Sequence, residues 1–77
     1  MMKKLHNYIE RNPEIMAGKP LIRGTRITVE LILKKLSEGA SMEQLLDMYP
    51  SLTLPSVLAC LEYASNIIGN EELLEVS

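Results

Sequence analysis

The sequence predicts a mainly α fold: a three-helix, helix-turn-helix-like core preceded by an extended segment or short β-hairpin. Two observations carry this. The C-terminal part holds three apolar stretches of helical period, each opened by a capping residue and closed by glycine or proline. Residues 1–27 have no such period and are interrupted by Asn12-Pro13, Gly18, Pro20 and Gly24. A chain of 77 residues has room for one domain and one modest core. It reads as a single domain, 1–77, with 1–27 an extended basic segment, 28–69 the three-helix core and 70–77 an acidic tail.

In chain order, Tyr8-Ile9 and Leu21-Ile22 are the apolar pairs suited to short strands, pairing across the turn from Pro13 to Lys19. The first helix, about 29–38, has Thr28 as N-cap, Glu30 in the dipole-favoured first turn, an apolar stripe of Val29, Ile32, Leu33 and Leu36, and Gly39 as its stop. Ser41-Met42-Glu43-Gln44 is a capping box, so a second helix covers about 42–48. It buries Met42, Leu45, Leu46 and Tyr49, and Pro50 ends it by pushing the preceding residue out of helical geometry. Thr53 caps the third helix, which tolerates Pro55 in its first turn, buries Leu54, Val57, Leu58, Leu61, Ala64 and Ile68, and closes at Gly69. Beside that stripe lies a second, Ala59, Cys60, Tyr63 and Ile67. Its presence points either to deep burial or to a dimer or partner surface. The tail interleaves Leu73, Leu74 and Val76 with acids, as a frayed helix or a segment that orders on a partner.

Charge is unevenly placed. Residues 1–35 hold all eight basic side chains and three acids, whereas residues 36–77 hold seven acids and no Lys or Arg. The net charge of −2 hides this polarity, which suits an anionic partner at one end and a cationic one at the other. No apolar run is long enough to span a bilayer, and Met1-Met2-Lys3-Lys4 leads into polar residues rather than a signal-peptide core. The expectation is a cytoplasmic protein without membrane contact. One cysteine, Cys60, and one histidine, His6, make neither an internal disulfide nor a Cys/His zinc set. No metal or cofactor is expected. His6 lies far in sequence from any nucleophile or carboxylate cluster, so the chain does not read as an enzyme. With Tyr8, Tyr49 and Tyr63 as its only aromatics, it also lacks a stacking platform for single-stranded nucleic acid.

The segment Gly18-Lys19-Pro20-Leu21-Ile22-Arg23-Gly24-Thr25-Arg26-Ile27, followed by a helix, Glu38-Gly39-Ala40-Ser41, Tyr49-Pro50 and the Thr53 helix up to Tyr63-Ala64, resembles the family known as domain of unknown function 433, short prokaryotic proteins. The resemblance covers roughly residues 9–64 and departs at Thr28, where the family usually has proline; a threonine cap starts a helix equally well. It implies a helix-turn-helix-like core and, for many members, the antitoxin half of a toxin–antitoxin pair whose toxin is a PIN-like ribonuclease.

Double-stranded DNA is a second expected partner, with promoter binding as autoregulation. The third helix would be the reading head, but between Thr53 and Gly69 it has no Lys or Arg. Phosphate contacts are therefore assigned to Lys19, Arg23, Arg26, Lys3 and Lys4, with Arg26 alternatively folding back onto helix carbonyls or Asp47. Gly18 and Gly24 supply unusual backbone angles, since no phosphate-cradling glycine spacing is present. The candidate partner surface is Cys60, Tyr63, Ile67, Ile68, Leu73 and Leu74, used on a toxin or in a homodimer or higher oligomer. The functional expectation is an antitoxin-like protein; the alternatives are a stand-alone dimeric DNA-binding regulator and a protein-interaction scaffold.

Overall fold

The computed structural model describes residues 8–76, and the side chains of residues 8–69. A two-stranded antiparallel hairpin precedes three helices. Strand β1 is Ile9–Glu10 and β2 is Leu21–Ile22, with Ile9 opposite Ile22 and Glu10 opposite Leu21. Tyr8, expected within the first strand, lies one residue before it, and its carbonyl still accepts from the Arg23 N–H at 2.7 Å.

The connection is tightly bonded. Asn12 Oδ1 accepts from the Glu14 N–H at 2.9 Å, a 3-10 turn spans Met16–Gly18, and Arg11 Nε donates to the Gly18 carbonyl at 2.9 Å. After β2 the chain turns within four residues. The Thr25 N–H donates to the Ile22 carbonyl at 3.0 Å, with Gly24 at φ +82°, the third position of a type II turn, where a side chain would be strained. Thr25 locks the turn: its hydroxyl donates to the Ile22 carbonyl and accepts from the Ile27 N–H. Ile22 N–H then bonds the Ile27 carbonyl, and Leu21 bridges Thr28. The basic segment expected to be extended is thus a strand and a tight turn doubling back on it.

Helix α1 (Val29–Ser37) starts where Thr28 Oγ1 accepts from the Leu31 N–H at 3.0 Å. It ends at Gly39, at φ +101°: the Ala40 N–H reaches the Lys35 carbonyl and the Gly39 N–H the Leu36 carbonyl, a pairing that satisfies otherwise orphaned carbonyls. Helix α2 (Met42–Met48) opens with the expected capping box, Ser41 and Gln44 bonding each other's backbone N–H groups. Helix α3 (Leu54–Val76) opens with Thr53 and Ser56 in the same reciprocal arrangement, which satisfies the buried Ser56 hydroxyl.

The core is formed by Ile9, Ile22, Val29, Ile32, Leu45, Leu52, Val57, Ala59 and Cys60, and Leu21 is fully buried. Helix α1 packs on both α2 and α3, and β1 packs on α3.

Two expectations about α3 are corrected. The helix runs through Gly69 to Val76. Gly69 has no positive φ, and a helical glycine costs only about 1 kcal/mol relative to alanine, so without a proline after it the helix continues. Both apolar stripes also divide between core and surface. Of the stripe expected inside, Val57 is buried and Ala64 half-buried, while Leu54, Leu58, Leu61 and Ile68 are exposed; of the second, Ala59 and Cys60 face the core and Ile67 is exposed. Helical period identifies stripes but not how the helix is turned about its axis, and here β1 and α1 both close on the Val57–Cys60 side.

The packing sets a stability contrast. Ile32→Ala should lower unfolding free energy by about 2–5 kcal/mol through the cavity it leaves, and Thr28→Ala by about 1 kcal/mol through the lost cap. Urea denaturation midpoints of the two variants would rank them in that order.

Candidate functional site

The chain on either side of β2 carries Lys19, Arg23 and Arg26, and acids engage two of these three. Lys19 Nζ lies 2.9 Å from Glu30 Oε1, and Arg23 Nη1 lies 3.2 Å from Glu10 Oε1. Both pairs are substantially exposed, so each contributes little stability and remains open to exchange with another anion. Arg26 is exposed and makes no hydrogen bond or ion pair with the described residues, to Asp47 or to a helix carbonyl. Lys3 and Lys4 lie outside the described residues. Between Leu54 and Gly69 of α3 the exposed polar residues are Ser65 and Asn66, while Ser56 is buried in its cap.

An apolar groove lies between α1 and the second half of α3. Pro20, Val29, Glu30 and Leu33 line one wall, Tyr63, Ala64, Ile67 and Ile68 the other, enclosing about 320 Å³. Its origin is a mismatch of lengths. Helix α1 has 9 residues and α3 has 23, so the core-facing side of α3 outlasts the helix it packs on. Tyr63 is half-buried against the core, and Ile67 and Ile68 are exposed. Glu30, on the rim, is held by Lys19, which joins the basic turn to the groove.

Of the expected partner surface, the structure thus brings together Tyr63, Ile67 and Ile68. Leu73 and Leu74 belong to the last turns of α3, with side chains outside the described ones. Cys60 is corrected: it is fully buried and cannot touch a partner. Sequence reasoning missed the opposite wall, Pro20, Val29 and Leu33. The available signal was the length of the apolar pattern after Tyr63, which reading Gly69 as a stop concealed.

Comparison with known proteins gives concordant results. The model of a family described as a protein of unknown function, DUF433, matches residues 9–64. An uncharacterized protein, y4eO, from Sinorhizobium fredii is 32% identical over 56 residues, 73% of this chain. The chain spans about a quarter of that relative's length, 25%. The crystal structure of a DUF433 member protein from Anabaena variabilis superimposes with a TM-score of 0.79 at 28% identity, covering 99% of this chain and 75% of that one.

Burial has a chemical consequence for Cys60: desolvation of the thiolate raises its pKa from 9.0 to about 11. A thiol reagent at pH 8 should leave the native protein unlabelled and react fully only in denaturant. Because the folded-state pKa is the higher one, the contribution of Cys60 to stability is complete below about pH 9 and is lost as pH rises towards 11. Denaturation midpoints across that range should fall less steeply for Cys60→Ala.

Proposed function

The chain belongs to the DUF433 family, and from that premise and the groove on α3 we propose that it is an antitoxin-like protein that binds and neutralises a PIN-type ribonuclease toxin. The groove is the observation that carries this reading. It is open and apolar, with charge confined to its rim at the Lys19–Glu30 pair, the character of sites that accept the apolar face of a partner helix. Tyr63 and Ile67 supply the anchors, since aromatic and aliphatic side chains at the centre of such a contact carry most of its energy. In this reading the protein acts by binding, not catalysis, and needs no cofactor.

A second role, repression of its own promoter, is favoured by one observation: Arg26 stands exposed without a partner among the described residues, three positions from Arg23 on the same turn. Two such turns in a dimer would present phosphate-binding cations that α3 itself lacks. The same cations would serve a stand-alone regulator without a toxin.

Titration calorimetry against a PIN-type ribonuclease, sought first among the genes adjoining the one for this chain, tests the first role. Ile67→Asp should weaken binding by roughly thirtyfold or more, the scale of a buried interface anchor, with the helical circular dichroism unchanged. Undiminished affinity would remove the groove from the contact. For the second role, duplex affinity should fall steeply with salt, and Arg26→Ala should reduce the log–log salt slope by about one. A salt-independent interaction would eliminate phosphate contacts by this turn.

A further inference from the structure

Helix α3 is apolar on two adjoining faces. On one, Val57 and Cys60 are sealed in the core; on the other, turned away from the domain, Leu54, Leu58 and Leu61 are 48%, 50% and 40% exposed. Positions 54, 58, 61, 65 and 68 advance by alternating steps of four and three, the seam spacing of a helix that packs lengthwise on another helix. Only Ser65 interrupts the apolar series. A helix apolar on both faces belongs between two partners, and the domain supplies one.

We propose that the second partner is another copy of this chain, with α3 packed antiparallel on α3 about a two-fold axis near Leu61. Two features select a copy and its direction. The seam is nearly symmetric about Leu61, with Leu54 and Ile68 each seven positions away, so a two-fold lays Leu54 of each copy opposite Ile68 of the other and makes the surface self-complementary. Charge sets the direction. The same alternating steps lead on to Glu72 and Glu75, so a parallel pair would align each acid with its own copy. An antiparallel pair carries the acidic end of one helix towards the N-terminal end of the other, where the helix dipole favours negative charge. Tyr63 and Ile67 lie outside the seam, whereas Ile68 belongs to both the seam and the edge of the groove, so the dimer covers each groove at Ile68 and leaves its Tyr63 and Ile67 wall uncovered. The inference does not depend on toxin or DNA binding.

Analytical ultracentrifugation of the full chain at high micromolar concentration should give twice the 8.7 kDa chain mass. The double variant Leu58→Glu, Leu61→Glu should sediment as a monomer with its helical signal retained. A wild-type chain that stays at 8.7 kDa overturns the proposal. Direction is read separately, by mixing the Leu54→Cys and Ile68→Cys variants under oxidising conditions, with the buried Cys60 shielded from exchange. Mixed disulfides are expected. Disulfides confined to like variants would establish a parallel pair and refute the antiparallel one, and the absence of any cross-link would refute the seam.

Discussion

The two residues of β2 are held from both sides, and the rest of the domain is arranged around that fact. Ile9 and Glu10 pair with Ile22 and Leu21 on one edge; on the other, Ile22 N–H bonds the Ile27 carbonyl and Leu21 bridges Thr28. Leu21 is fully buried, so its backbone polar groups need partners within the protein. The only way to supply the second edge from the next few residues is a reversal at once, and Gly24 with the Thr25 hydroxyl makes it. The reversal delivers Thr28 as the cap of α1, and the Val29 N–H, at the first turn of that helix, bonds the Pro20 carbonyl at 3.0 Å.

From this follows the division of labour among the cations. A tight turn beside two strands brings Arg23 within reach of Glu10 and Lys19 within reach of Glu30, leaving Arg26 exposed at the far end. What looked from composition like a free basic arm is a partly neutralised, well-defined corner. Helix α1, fixed at its start and stopped at Gly39, covers only part of α3. The part of α3 it leaves uncovered exposes Ile67 and Ile68, which is why the proposed partner contact falls on α3 and not on the basic segment.

Elements marked by local chemistry were legible in the sequence. Thr28, the Ser41–Gln44 box, Gly39 and Thr53 each act through bonds within a few residues, and the start of every helix follows from them. The β2 turn was less legible because its hydrogen bonds answer to the burial of Leu21, a tertiary event. How α3 is turned about its axis was not legible: Val57 and Leu58 were expected on one buried stripe, yet only Val57 is buried, and that choice rests with β1 and α1. Gly69 misled for a related reason, since glycine stops a helix only where it takes a left-handed conformation, which Gly39 does and Gly69 does not. Of the candidate site, Tyr63, Ile67 and Ile68 were found from period alone, whereas the α1 wall depended on how the helices cross.

The central claim is that α3, and not the basic turn, is where this protein meets a protein partner. It is tested most directly by amide chemical-shift mapping of the isotopically labelled chain during titration with a PIN-type ribonuclease. The account predicts the largest changes at Leu33, Tyr63, Ala64 and Ile67, which flank the groove, with Arg23 to Arg26 little affected. Changes concentrated at Arg23 to Arg26, with the groove amides unmoved, would contradict it.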